Sequence, residues 1–183
     1  MTPGAAAERS AQIVGHLTAT VVRGNVKGVM LYLPFDPSAK GGAAVEPDLR
    51  PLIAVAIAAG KRVIAPRVNW GEGTLLPVEL TSAQYQQEVR RWGVPEPIGP
   101  EADLKGIDLV LTPGAAFDLS GGRLGRGAGY YDKLFASLLR ENVAHTRIGV
   151  CFEEQIVERV PMEEHDAVMD GLVTESGLRR TRF

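Results

Sequence analysis

The residues best suited to chemistry lie between Gly114 and Gly129, where six glycines fall within sixteen positions. Through this stretch runs Gly122-Arg123-Leu124-Gly125-Arg126-Gly127-Ala128-Gly129-Tyr130-Tyr131-Asp132. Alternate glycines admit left-handed backbone and let a ligand approach the main chain closely. Successive N–H groups in such a loop form a nest for an anion. The loop leads straight into residues of helical spacing, whose first turn offers N–H groups and a positive dipole end. Arg123 and Arg126 add forked cations matched to phosphate. By composition and position this is a phosphate site. It is not a Walker A loop, because no Gly-Lys-Ser/Thr follows. It is not the dinucleotide fingerprint either, because the spacing is Gly-x-Gly-x-Gly and no strand is expected immediately before it. The bland alternative is a surface loop with two solvated arginines.

Asp132, in the first turn of the following helix, has two readings. It complements the helix dipole, or it is a carboxylate for a phosphate-bridged Mg²⁺, which needs only one or two protein carboxylates. Asp170 is a second candidate for that ion. His165-Asp166 are adjacent and so rarely share a face, which favours a structural role. Glu46 precedes a helix and is either solvated or an acceptor for an amino group on a ligand. Of Tyr130 and Tyr131, one is expected to pack inward and the other to line a pocket. Cys151 lies in the apolar run Ile148 to Phe152 and reads as a small buried hydrophobe.

The elements that must position these groups follow from periodicity. Residues up to Ala7 read as a frayed tail. Ile13, Leu17, Thr20 and Val21 form a helical stripe, and Val29 to Leu33 a buried strand ending at Pro34. Asp36 to Ala44 is a flexible loop. Asp48 caps a helix carrying Leu52, Val55, Ala56 and Ala59 that stops at Gly60, and Arg62 to Pro66 is the next strand. Strand, helix and strand make a parallel unit with a right-handed crossover. Thr74 to Leu80 is a further strand, Ser82 to Arg91 a short helix or an excursion, and Gly93 to Pro97 rigid connecting chain. Ile107 to Thr112 is a strong strand closed by Pro113-Gly114. Tyr130, Tyr131, Leu134, Phe135, Leu138 and Leu139 predict an amphipathic helix to Arg140. Arg147 to Phe152 and Gly171 to Glu175 are the last strands. The expected architecture is a single three-layer α/β domain over 1–183, with an open, mostly parallel sheet.

Composition narrows the function. The 183 residues carry a formal net charge of −2. That excludes a whole-protein basic field for nucleic acid. A single cysteine excludes an internal disulfide framework. No apolar run approaches the roughly 20 residues of a membrane span, and no signal peptide is visible, so a cytoplasmic protein is expected. A monomer is expected as well.

The run Leu111-Thr112-Pro113-Gly114-Ala115-Ala116-Phe117-Asp118, followed by Gly122 to Asp132, resembles the signature of the 5-formyltetrahydrofolate cyclo-ligase (methenyltetrahydrofolate synthetase) family. The likeness extends through Gln155-Ile156-Val157, Val160-Pro161, His165-Asp166 and Asp170 to Val173-Thr174-Glu175. Upstream, Leu31-Tyr32-Leu33, Glu46-Pro47-Asp48, Gly60 to Val63, Pro66 to Val68 and Gly93 to Pro97 fit as well.

The resemblance implies a fold of the sugar-phosphate isomerase and CoA transferase-like type. It also implies an activity. ATP, with Mg²⁺, phosphorylates the formyl oxygen of 5-formyltetrahydrofolate, the neighbouring nitrogen attacks the activated carbon, and phosphate leaves. The products are 5,10-methenyltetrahydrofolate, ADP and phosphate. Positioning and charge neutralisation carry such a reaction, and no side-chain nucleophile is needed.

Carried over by position, Arg123, Leu124, Gly125, Arg126, Gly127, Ala128, Gly129, Tyr130 and Tyr131 would wrap the ATP phosphates. Arg126 to Tyr130 would also face the reduced folate, with Arg126 and Tyr130 catalytic. Asp132 and Asp170 would hold Mg²⁺, Leu33 would border the pterin, Glu46 would bind it, and Gly114, Ala115 and Phe117 would line the site. Family members often carry a basic Lys-x-x-Leu-Arg helix and a lysine in the glycine loop. Glu8-Arg9-Ser10 matches the segment after that helix, so the helix is expected to be absent, and Ala128 stands at the lysine position. These departures keep open a family-derived protein that binds a folate or nucleotide without turning it over.

Overall fold

A computed structural model describes residues 2–35, 46–89, 93, 95–164 and 166–181. The loop expected over 36–44, and Arg90, Arg91 and His165, lie outside the described residues. The chain opens with α1 (Pro3–Arg23). The expected frayed tail is therefore helix. Thr2 Oγ1 accepts from the Ala5 N–H at 3.4 Å, Pro3 stands in the first turn, and alanines 5–7 are strong helix formers. Ala6 is buried, which anchors this turn to the core.

The strands are β1 (Gly28–Met30), β2 (Arg62–Asn69), β3 (Thr74–Glu79), β4 (Gln87–Val89), β5 (Pro95–Pro97) and β6 (Leu109–Thr112). They continue with β7 (Ala116–Phe117), β8 (Arg123–Leu124), β9 (Thr146–Val150), β10 (Gly171–Thr174) and β11 (Gly177–Arg180). The other helices are α2 (Arg50–Ala58) and α3 (Tyr130–Arg140). Seven strands form one sheet in the order β11-β10-β9-β6-β1-β2-β3. Pairing is parallel from β10 across to β2 and antiparallel at both edges.

Alternation along the strands sorts side chains to two faces. Val29, Leu31, Val63, Ala65, Leu109, Leu111 and Val150 pack with α1 and α2. Met30, Ile64, Val110, Cys151 and Leu172 pack with Leu134, Phe135 and Leu138 of α3. This is the three-layer α/β arrangement. Burial pushes the Cys151 thiol up to about 12, consistent with an inert core residue.

Other segments also differ from expectation. The 82–91 region contains no helix among its described residues; Gln87–Val89 pairs antiparallel with Pro95–Pro97, so the expected connector is half of a ribbon. β2 runs on to Asn69 because β3 pairs along its whole second half. β10 is not the last strand, since Gly177, at φ +130, turns the chain back into β11.

Following β6, the chain makes the short ribbon β7–β8, which sets the start of the glycine loop. A strand of two residues thus does precede the loop; it is too short for an alternation signal. Its turn is organised by Asp118, which is 3% exposed. Asp118 Oδ1 accepts from the Ser120 and Gly122 N–H groups, and Oδ2 from the Val160 N–H, at 2.7–2.9 Å. Burial alone would raise this carboxyl; the three N–H donors, led by Val160, outweigh it and hold it below the usual range.

Asp118→Asn leaves one acceptor where the carboxylate had two, and is expected to cost about 1–3 kcal/mol near neutral pH by urea denaturation. Because the folded pKa is depressed, the carboxylate's contribution is present above the unfolded pKa, about 3.9, and is lost as pH falls through the folded value. The gap between wild type and variant should therefore narrow in acid. A gap independent of pH would contradict this account.

Candidate functional site

β1 leads through its crossover to β2 on one side, whereas β6, β9 and β10 succeed one another on the other. The strand order therefore reverses between β1 and β6, and open α/β sheets bind ligands outside the carboxyl ends of their strands at such a point. A cavity of about 440 Å³ lies there, lined by Tyr32, Leu33 and Phe35 after β1 and by Pro113 and Gly114 after β6. Glu46, Arg123, Gly125, Arg126, Ala128, Gly129, Tyr130, Tyr131 and Asp132 complete its polar side. The opposite wall is Pro66, Val68, Trp70, Leu75 and Pro95.

The glycine loop holds the conformation its sequence promised. Gly127 and Gly129 have φ of +87° and +65°, which a side chain rarely adopts. Gly129 is the N-cap of α3, and no side chain caps that helix. Its first-turn N–H groups are therefore left to solvent or to a ligand.

Two ion pairs cross the cavity's polar side. Arg123 Nη2 donates to both oxygens of Asp132, at 2.8 and 2.9 Å. The Arg123 side chain is only 6% exposed, and its Nε is buried with no hydrogen-bond partner among the described residues. A buried, incompletely satisfied guanidinium suits an anionic ligand. Arg126 Nη2 lies 3.1 Å from Glu46 Oε1, and its guanidinium stands 3.9 Å from the Phe35 ring centre. Glu46 Oε2 accepts from the Phe35 N–H at 3.2 Å. Burial pushes the Glu46 carboxyl above the usual range, and Arg126 only partly offsets it. Burial, with the charge of Glu46, raises the Tyr131 phenol well beyond its ordinary value, so it stays protonated. Tyr32 is anchored by its hydroxyl, which donates to the Pro47 carbonyl at 2.9 Å.

The structure thus brings together Leu33, Glu46, Arg123, Gly125, Arg126, Ala128, Gly129, Tyr130, Tyr131 and Asp132. Leu124 and Gly127 belong to the same loop but are not part of the lining; Leu124 instead receives the Ala115 N–H on its carbonyl at 2.8 Å. Phe117 does not face the cavity. It is fully buried in the core against α3, beneath the turn at Gly114. Tyr130 and Tyr131 both line the cavity, and Tyr131, as expected of one of the two, also packs inward against the core beside Phe135.

Asp170 is not brought to Asp132. It precedes β10 and so sits at the amino edge of the parallel sheet, where its Oδ2 accepts from the Arg147 N–H at 2.7 Å. The chain segment that does reach Asp132 is 166–167, for the Ala167 N–H approaches Asp132 Oδ1 at 3.4 Å. Arg9, far from the loop in sequence, is held by Glu154 and Glu175 and stacks 4.8 Å over the Phe152 ring.

The apolar wall went unread in the sequence. Its signal was present: Pro66, Val68 and Trp70 alternate, so they share one face of β2 and its extension. β2 was expected to end at Pro66, which hid the pattern.

Comparison with known proteins agrees with this arrangement. The model of the 5-formyltetrahydrofolate cyclo-ligase family matches residues 1–175. The chain belongs to that family. It is 32% identical over 155 residues to the 5-formyltetrahydrofolate cyclo-ligase of Escherichia coli, covering 81% of this chain and 78% of that one. With the Saccharomyces cerevisiae cyclo-ligase it shares 43% identity over 86 residues, 45% of this chain and 40% of the relative's length. Among solved structures, the 5,10-methenyltetrahydrofolate synthetase of Aquifex aeolicus superimposes with a TM-score of 0.77 at 30% identity, covering all of this chain and 86% of that one. The Aquifex aeolicus synthetase therefore shares this fold. Among the described residues no helix is long and apolar enough to cross a membrane.

Proposed function

We propose that the protein converts 5-formyltetrahydrofolate to 5,10-methenyltetrahydrofolate at the expense of ATP, releasing ADP and phosphate. The observation that carries this reading is the convergence of the glycine loop, Arg123, Arg126, Asp132 and Glu46 on one cavity whose other wall is apolar. Relatives that carry the enzyme's name favour turnover over a protein that only binds.

ATP with Mg²⁺ would supply the phosphoryl group that turns the formyl oxygen into a leaving group. The protein's part is to hold and neutralise. The loop N–H groups, the first turn of α3, Arg123 and Arg126 receive polyphosphate. Asp132 would be the carboxylate that holds Mg²⁺. Asp170, at the far edge of the sheet, orders the start of β9 through Arg147 and acts on the site only through the fold. Glu46 accepts hydrogen bonds from the pterin, bordered by Leu33, while the proline, valine and tryptophan wall covers the aminobenzoyl part and excludes water. Tyr130, at the loop's end, would lie beside both ligands.

Absorbance in the methenyl-folate band, followed in a mixture of protein, 5-formyltetrahydrofolate, ATP and Mg²⁺, tests the reading. Wild type should give a rise that requires ATP. Arg126→Ala should lower kcat by about 10²-fold, as expected for removal of one donor to developing charge. Its stability should fall by about 1–3 kcal/mol as well, because the buried Glu46 carboxyl loses its cation. A flat trace from folded wild-type protein would defeat the proposal.

A further inference from the structure

We infer that the Glu46–Arg126 ion pair couples the two ligand sites, so that reduced folate and nucleotide each bind more tightly when the other is present. The inference rests on the reading of the cavity given above. It starts from an asymmetry in the pair. The Glu46 side chain is 6% exposed, and the Arg126 side chain 37%. The two groups lie 3.1 Å apart, so each occupies what the other's ligand needs. The pterin must take Glu46 from Arg126, and polyphosphate must take Arg126 from Glu46.

Either ligand alone breaks the pair. Both ligands together break it only once, because each freed group then meets its own ligand. That difference is a positive coupling free energy, and linkage makes it reciprocal. The order matters too. Nucleotide alone leaves a buried carboxylate stripped of its cation, which is costly. Folate alone leaves a partly exposed guanidinium that still lies on the Phe35 face. The favoured first ligand is therefore the folate. Burial already pushes the Glu46 carboxyl upward in the presence of Arg126, in keeping with the penalty of stranding it.

The pair also acts as a discriminator. A nucleotide arriving alone meets an arginine already neutralised, which disfavours occupancy of the phosphate site when there is nothing to phosphorylate.

Calorimetric titration with the β,γ-methylene analogue of ATP and Mg²⁺, with and without saturating 5-formyltetrahydrofolate, tests this. Wild type should bind the analogue about tenfold more tightly with folate present. The reverse titration should return the same factor. In Glu46→Gln, the analogue's affinity without folate should rise toward the wild-type folate-bound value, and the factor should fall toward one. If circular dichroism shows that Glu46→Gln does not fold, Arg126→Gln decides: the factor should again approach one, with the analogue bound weakly throughout. Wild-type binding of both ligands with no mutual effect overturns the coupling and leaves the proposed function standing, as does an unchanged factor in either folded variant. Wild type that binds neither ligand overturns the proposed function and the coupling together.

Discussion

Asp132→Ala protein is expected to give no ATP-dependent rise in methenyl-folate absorbance and to lose about 3 kcal/mol of stability to urea. The second effect comes from Arg123. Its side chain is 6% exposed and both Asp132 oxygens accept from it, so removing the carboxylate leaves a buried cation without its counter-charge. Asp132 itself is 18% exposed, which keeps the cost toward the lower end for a buried pair. The alanine variant therefore confounds lost Mg²⁺ binding with a disturbed loop. Asp132→Asn separates them, since the amide oxygen still accepts from Arg123 while the charge is gone. It should lose about 1–2 kcal/mol, yet turnover should remain absent. Wild-type stability in Asp132→Ala, or wild-type turnover in Asp132→Asn, would contradict this role.

Phe117→Ala should cost about 3–5 kcal/mol, the range for emptying a buried aromatic site. The ring is completely inaccessible and fills the space beside two glycines. A Cβ on Gly114 would come within 2.7 Å of it, and one on Gly149 within 2.5 Å. The Phe117 carbonyl also accepts the Val157 N–H at 2.8 Å, which ties the ribbon before the glycine loop to the 153–157 segment. Phe117→Leu, which keeps most of the volume, should fold and retain a folate KM within about twofold of wild type, because the ring does not line the cavity. A large rise in folate KM with unchanged stability would return Phe117 to the substrate wall that the family resemblance suggested.

The glycine loop shows how far local sequence carries. Gly127 and Gly129 need positive φ, Gly129 opens α3, and the stripe from Tyr130 to Leu138 gives that helix its buried face. Each is settled by residues within about ten positions of one another, so the nest, the helix and its charged start were legible. The continuous apolar runs Val29 to Leu33 and Ile107 to Thr112 likewise predicted strands, and their side chains are buried in both cores. Failures came where the signal was short or borrowed. Ribbons of two or three residues are too brief to show a period. The start of α1 reads as loose chain until Ala6 is seen packed in the core. Asp170 was a candidate by residue type and by resemblance, and Phe117 by resemblance alone; neither ground says which edge of a sheet, or which side of a turn, a residue occupies.

By itself, then, the sequence determined the elements, the conformation of the glycine loop and the family to which the chain belongs. Near-neighbour sterics and hydrophobic periodicity set the first two, and the third follows from an ordered set of motifs. Only the tertiary structure decided what those groups meet. Glu46 and Arg126 are 80 residues apart, and their pairing depends on β1 and β6 lying side by side with the strand order reversing between them. The same strand order places Asp132 at the carboxyl edge and Asp170 at the amino edge. Contacts of this kind depend on how the whole sheet closes its two cores, and no local pattern encodes them.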